Sequence, residues 1–308
     1  PPPPPPPPPR FTPRLRNTRL PTRSRGLGDV YKRQPLADIK ANLDLDNTIR
    51  RSSSNNVIAV IPGTKRPGEV IIYTAHWDHL GTNPEIAGDN IYNGAQDNAT
   101  GTAGLLSLAQ LFSQLPEPPE RSVAFLAVTA EESGLLGSQW YGENPLFPLA
   151  TTVANINMDG LNVYGPMRDV VVVGYGNSEL EDYLRDAVAL QPGRYVAAEP
   201  HPQRGYYYRS DHFNFARQGV PALYAESGED SFEHGREWGA KQAQEVTTNR
   251  YHSTNDEYNP DWDMKGAALD VMLYYEIGLR LSRESTFPNW YPGAEFRSVR
   301  DASASARQ

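Results

Sequence analysis

Apolar runs rich in β-branched residues alternate with stretches of helical period along most of this chain. "NVIAVIPG" (Asn56–Gly63) and "EVIIYTAHWD" (Glu69–Asp78) read as strands separated by a Pro/Gly turn. From Asp97 to Leu115 the apolar residues Leu105, Leu108, Ala109, Phe112 and Leu115 fall at helical spacing, with Asp97, Asn98 and Thr100 as candidate N-caps. A strand over Val123–Ala130, a helix near Leu135–Gly142 and a strand over Thr151–Gly160 follow. Further on come a strand in "DVVVVGYG", a Ser-capped helix in "NSELEDYLRDAVAL", a helix over Ser210–Gln218 and a last core strand, Gly219–Ser227. A helix over roughly Met264–Leu281 closes the pattern. Near-continuous apolar strands alternating with helices predict an α/β fold, a mixed, mostly parallel central sheet with helices on both faces.

The first 35 residues break the pattern. Nine prolines lead into a segment with eight Lys or Arg against one acid and no hydrophobic period. Disorder is expected there, with polyproline helix at the start. "RGLGDVYKRQ" resembles translated sequencing-adapter sequence, so residues 1–35 are read as a non-native leader and 36–55 as the remnant of an upstream region. The catalytic domain is then expected over 56–285, with a C-terminal tail over 286–308.

Composition narrows the chemistry. A net charge of −8 argues against nucleic acid as a partner. With no cysteine in the chain, any metal must be held by His, Asp and Glu. No apolar run approaches the ~20 residues that a membrane span needs, and no signal-peptide pattern opens the chain. Oligomeric state has no signature in the pattern.

In parallel sheets, ligands bind outside the carboxyl ends of the strands. The predicted ends carry His76 and Asp78, then the adjacent pair Glu131 and Glu132, then Asp159; the first long helix opens at Asp97, and a late loop offers His252. Singly these are surface pairs, caps and turn residues. Together they deliver several carboxylates to one rim with no matching Lys or Arg beside them, a charge that a divalent metal would balance. Asp211 and His212 are expected in packing and capping, with the pocket wall as a weaker option. Tyr206, Tyr207 and Tyr208 suit either a specificity pocket or alternating burial along a strand. His79, His201 and His234 are left as structural or exposed, and Glu229, Asp230, Glu233 and Glu237 as a solvated face.

The ordered blocks "AHWDHLG", "GAQDNATG", "TAEESG", "NMDG", "RSDHFNFARQGVPAL" and "RYHSTNDEY" resemble the signatures of the two-zinc metallo-exopeptidases. That family contains secreted bacterial leucyl aminopeptidases and, more distantly, glutamate carboxypeptidases. The resemblance runs from about Asn56 to Leu281. It implies two Zn2+ ions (Co2+ or Mn2+ suit the same donors) bridged by Asp97, one also held by His76 and Asp159, the other by Glu132 and His252. It further implies Glu131 as general base, Asp78 behind His76 fixing its orientation and tautomer, and Tyr251 near the developing oxyanion. Relatives with "HWDHLG" often carry a protease-associated domain upstream, which is expected to be truncated here. Peptides are the implied substrates, and a secreted or periplasmic home is implied by the family alone. An acidic catalytic region suits the ammonium of an aminopeptidase substrate. Arg204 and Arg209 keep a carboxypeptidase open, and the fold also serves single-zinc glutaminyl cyclases and non-catalytic ectodomains.

Overall fold

The computed structural model describes residues 51–307, so the expected leader and nearly all of the upstream remnant lie outside the described residues. Strand β1 (Val57–Ile61) runs antiparallel to β5 (Arg121–Val128) at one edge of a seven-stranded sheet. Next to β5 come β2 (Arg66–His76), β6 (Thr152–Asn157) and β9 (Ala222–Ser227), all mutually parallel. Strands β7 (Asp169–Val172) and β8 (Tyr195–Ala198) close the other edge, with β7 antiparallel to β9. A two-stranded ribbon, β3 (Gly81–Thr82) and β4 (Ile91–Tyr92), stands outside this sheet.

Alternation along the central strands sorts the core onto two faces. In β2, Ile71, Tyr73 and Ala75 belong to one apolar cluster, while Val70 and Ile72 belong to the other. The first cluster packs beneath α1 (Thr100–Ser113), α3 (Leu180–Ala189) and α6 (Lys265–Arg283). The second meets Tyr141 of α2 (Leu136–Glu143) and Phe215 of α4 (His212–Arg217). Each fully buried Val, Leu or Ile side chain stabilises this arrangement by roughly 1.5–3 kcal/mol. Two-sided burial explains why these strands read as continuous apolar runs.

Several local expectations are corrected. The helix predicted from Asp97 becomes regular only at Thr100, because Asp97 and Asn98 have non-helical backbone. Asp97 is therefore no cap; Asn98 Oδ1 accepts from Gly101 N at 3.0 Å and from Gly160 N at 3.0 Å. The tyrosine run is a 3₁₀ turn over Tyr206–Tyr208 with only Tyr207 buried, not an alternating strand. Asp211 precedes α4 without a side-chain cap. Helix α5 (Gly235–Glu245), whose sequence has a weak apolar stripe and buries only Gly239, went unpredicted. In the expected tail, Trp290 is fully buried and donates to Gly219 O at 3.0 Å, and α7 (Arg297–Ser303) inserts Arg300 against the Thr152 and Val153 carbonyls.

Candidate metal centre

Because β5, β2, β6 and β9 are adjacent and parallel, their carboxyl ends share one rim. His76 ends β2, Glu131 and Glu132 follow β5, and Asp159 follows β6. Asp97 comes from the turn before α1, and His252 from the loop after α5. The structure brings all six together.

Asp97 lies between the two imidazoles: its Oδ1 is 3.1 Å from His76 Nε2 and its Oδ2 is 3.4 Å from His252 Nε2. His76 Nε2 is also 3.1 Å from Asp159 Oδ1, and His252 Nε2 is 3.1 Å from Glu132 Oε2. Donor atoms of His76, Glu131 and Asp159 lie within 4.8 Å of one another, as do those of His79, Asp97 and Glu132. This is a donor set of mixed imidazole and carboxylate character, suited to a divalent cation.

Backbone and side-chain contacts aim these groups. Asp78 lies behind His76, with its carboxylate 3.9 Å from Nδ1. Its backbone carbonyl, not its carboxylate, pairs with His76 Nδ1 at 3.0 Å. The carboxylate instead accepts from the amides of Glu131 at 3.1 Å and Glu132 at 3.4 Å, pinning the turn that carries both acids. That turn is strained: Ala130 and Leu135 on either side of it have positive φ, and so does His252. Such conformations cost about 1–3 kcal/mol each and persist where surrounding contacts over-determine them.

A buried relay orients Asp159. Asn155 Nδ2 donates to Thr74 Oγ1, which donates to Asn157 Oδ1, and Asn157 Nδ2 donates to Ser210 Oγ, over 3.0, 2.7 and 2.8 Å. Ser210 Oγ then donates to Asp159 Oδ2 at 2.6 Å. On the other side, buried Asp256 accepts from the Gln96 and Asp97 amides at 2.9 and 3.0 Å, tying the His252 loop to the Asp97 turn.

Charge is unevenly balanced. Burial works against a charged His76, yet Asp159 and Asp97 hold it far above the usual imidazole range. Burial, then Asp159, pushes the Glu131 carboxyl up to about 9, well above the range of a surface acid. Tyr251, stacked on the His252 ring at 3.8 Å, is pushed up to about 12 by burial and then by Asp97. Its hydroxyl accepts from Arg209 Nη2 at 3.5 Å.

The cluster opens into a cavity of about 770 Å³. Tyr206 and Tyr208 line it, as do Arg204 and Arg209 at its exposed rim, whereas Tyr207 is buried outside it against Trp290 and Phe296. His201 and Glu229 also reach the lining; Asp230, Glu233, His234 and Glu237 do not. His79, set aside as structural or exposed, sits with Nδ1 2.8 Å from Glu132 Oε1, its side chain 6% exposed. Its place in "HWDH", three residues after His76, was the available signal. Ser210, Asp256, Glu199 and Glu226 were also missed. Glu226 had a signal of the kind that marked Glu131, an acid ending an apolar run.

A family model described as "Peptidase family M28" matches residues 56–276. The aminopeptidase NAALADL1 of Mus musculus is 32% identical over 128 residues, which are 40% of this chain and 16% of that protein. The LapA aminopeptidase of Legionella pneumophila superposes with a TM-score of 0.56 at 20% identity, over 75% of this chain and 56% of that one. BSAP, a zinc aminopeptidase from Bacillus subtilis, does so with a TM-score of 0.55 at 20% identity, over 77% and 53%. Both superpositions speak for the fold. In all three cases the match spans less than two thirds of the relative's own length.

Proposed function

The chain belongs to peptidase family M28, and from that premise we propose that it is a zinc-dependent aminopeptidase that removes N-terminal residues from peptides. The observation that carries this reading is Asp97, whose two oxygens face two different imidazoles with a further carboxylate beside each. The donor set fits zinc. Ligand atoms about 2.0–2.1 Å from a tetrahedral ion are about 3.3 Å apart, and the N···O separations here are 3.1–3.4 Å. His76 and Asp159 would hold one ion, Glu132 and His252 the other, with Asp97 shared. His79, beside Glu132, would back the second group. When bound, a zinc pair supplies Lewis acidity toward the scissile carbonyl and acidifies a water held between the ions.

The chain's own groups do the rest. Glu131 accepts the proton of the attacking water on its carboxylate and returns it to the leaving amine. Asp78 keeps Glu131 in place through its amide. Tyr251, on the cavity wall, offers a phenolic hydrogen bond to the developing oxyanion. Acids dominate the inner lining, where an α-ammonium would be held, while Arg204 and Arg209 stay at the exposed rim. That distribution favours an aminopeptidase over a carboxypeptidase. The family likeness supports a secreted or periplasmic location, which cell fractionation tests directly. Among the described residues no helix is long and apolar enough to cross a membrane.

The deciding experiment is hydrolysis of free and N-acetylated dipeptides with zinc, after chelation, and by Glu131→Gln, alongside metal analysis. Cleavage of free-amine substrates only, lost on chelation and reduced at least ~10²–10⁴-fold in Glu131→Gln at a metal content near two, is expected. Cleavage of N-blocked peptides instead would establish a carboxypeptidase. A chain that binds no metal would overturn the reading.

A further inference from the structure

The cavity continues past the metal cluster along β9, and its inner end is acidic. Strand β9 lies parallel to β6 with Tyr224 opposite Asn157, the last registered pair, and Glu226 and Asp159, each two residues further on, line the same cavity. Neighbouring strands are about 4.8 Å apart, which sets Glu226 one strand beyond Asp159. Along β9, Leu223 and Ala225 point into the core, whereas Tyr224 and Glu226 share the opposite face and line the cavity.

Glu199, just after β8, lines the same cavity. Its Oε1 accepts from Gly174 N at 3.0 Å, while its Oε2 is buried without a hydrogen-bond partner. Among the described residues, no Lys, Arg or His lies within ion-pair distance of Glu199 or Glu226. The charged groups acting on Glu226 are themselves acids, Asp159, Glu199 and Asp270. Enclosed carboxylates without a counter-charge are costly. Aromatic faces beside carboxylates are the surroundings that favour an organic cation. Arg204 and Arg209 do not supply that charge, being exposed at the rim and screened by solvent.

We propose that this cavity selects peptides with a basic N-terminal residue, lysine or arginine, whose terminal cation is held by Glu226, with Glu199 adding negative charge behind it, while its stem lies among Tyr206, Tyr208 and Tyr224. The inference rests on the aminopeptidase reading and names its substrate class. An apolar side chain entering the same space would leave both carboxylates unpaired, so discrimination arises as much from rejecting leucine as from attracting lysine.

The test is kcat/KM for the 4-nitroanilides of lysine, arginine, leucine and glutamate with the zinc-loaded full chain. Lysine and arginine are expected to exceed leucine at least 10-fold. Glu226→Leu should lower the lysine-to-leucine ratio about 10- to 100-fold, the loss of a charge-assisted contact. Glu226→Arg should move the preference toward glutamate. Taking the ratio within one preparation cancels any loss of folded protein. Leucine favoured over lysine by the unsubstituted chain, or a ratio that Glu226→Leu does not move, overturns the proposal. Calorimetric binding of L-lysinamide and L-leucinamide separates it from the catalytic reading. If no anilide is cut but lysinamide binds more tightly, and Glu226→Leu removes the difference, the cavity's selectivity stands and the aminopeptidase reading alone falls. Equal binding of the two amides overturns the selectivity.

Discussion

Asp256 is the residue whose contribution is easiest to isolate, because it touches the centre only through backbone. It accepts from the Gln96 and Asp97 amides and sits four residues after His252, so it couples two chain segments that each carry a proposed metal ligand. Asp256→Ala leaves two amides without their acceptor, at a cost of about 1–3 kcal/mol. Zinc affinity should fall about 10- to 100-fold, read by competition with a chromophoric chelator. Asp211 offers a pH test. Burial pushes its carboxyl up from the ordinary carboxylate range to about 7, so the folded chain keeps a proton that the unfolded chain releases near pH 4. Stability from this group is therefore intact below about pH 4 and is lost as pH rises to about 7. Denaturant melts of Asp211→Asn should show a flatter pH dependence across that window, with the greatest gain over the unsubstituted chain above pH 7. Of the groups named in advance, His76, Glu131, Glu132 and Asp159 were legible because each ends or follows an apolar run, whereas Asp97 and His252 were named from a helix start, a late loop and the family resemblance. Ser210 and Asp256 were not legible, since their roles are contacts between segments 50 or more residues apart, as in Ser210 with Asp159.

Among the elements, α6 shows how a packing constraint hides in a helical pattern. Gly278 is interior to this 19-residue helix, where glycine is a poor helix former. A Cβ there would overlap the hydroxyl of Tyr73, which donates to the Tyr274 carbonyl at 2.7 Å across the helix–sheet interface. Gly278→Ala is thus expected to destabilise by about 1–3 kcal/mol through overpacking despite its better helix propensity. Chemical denaturation checks this, and metal content should be unchanged. The long strands and helices were readable because burial on both faces of the central sheet imposes apolar runs and one face of a helix imposes a 3.6-residue period. The 3₁₀ turn at Tyr206–Tyr208 and helix α5 escaped for the converse reason. Three tyrosines fit strand and turn alike, and α5 is held by the loop around Glu229, whose carbonyl lies against Gly239, rather than by an apolar stripe of its own.

Across the whole molecule, the proposed metal ligands come from β2, the turn before α1, the turn after β5, the end of β6 and the loop after α5. Ions that bind only the folded arrangement would stabilise it by about 2.7–4.1 kcal/mol at 100 to 1,000 times Kd. Removing them by chelation should lower Tm by roughly 5–15 °C, followed by calorimetry and reversed on adding zinc. Glu131→Gln, which keeps every proposed ligand, should show the same shift, whereas His76→Ala, which removes a ligand of one ion only, should reduce it. The sequence alone determined the alternation of strands and helices, the family resemblance and the residues that bring charge to strand ends, because hydrophobic period and unpaired charge are properties of neighbouring positions. Only the tertiary structure decided that Asp97 lies between two imidazoles, that Asp78 pins the Glu131 turn, and that Glu226 and Asp159 line the same cavity. Those relations depend on strand order and register, set by the packing of segments far apart in the chain.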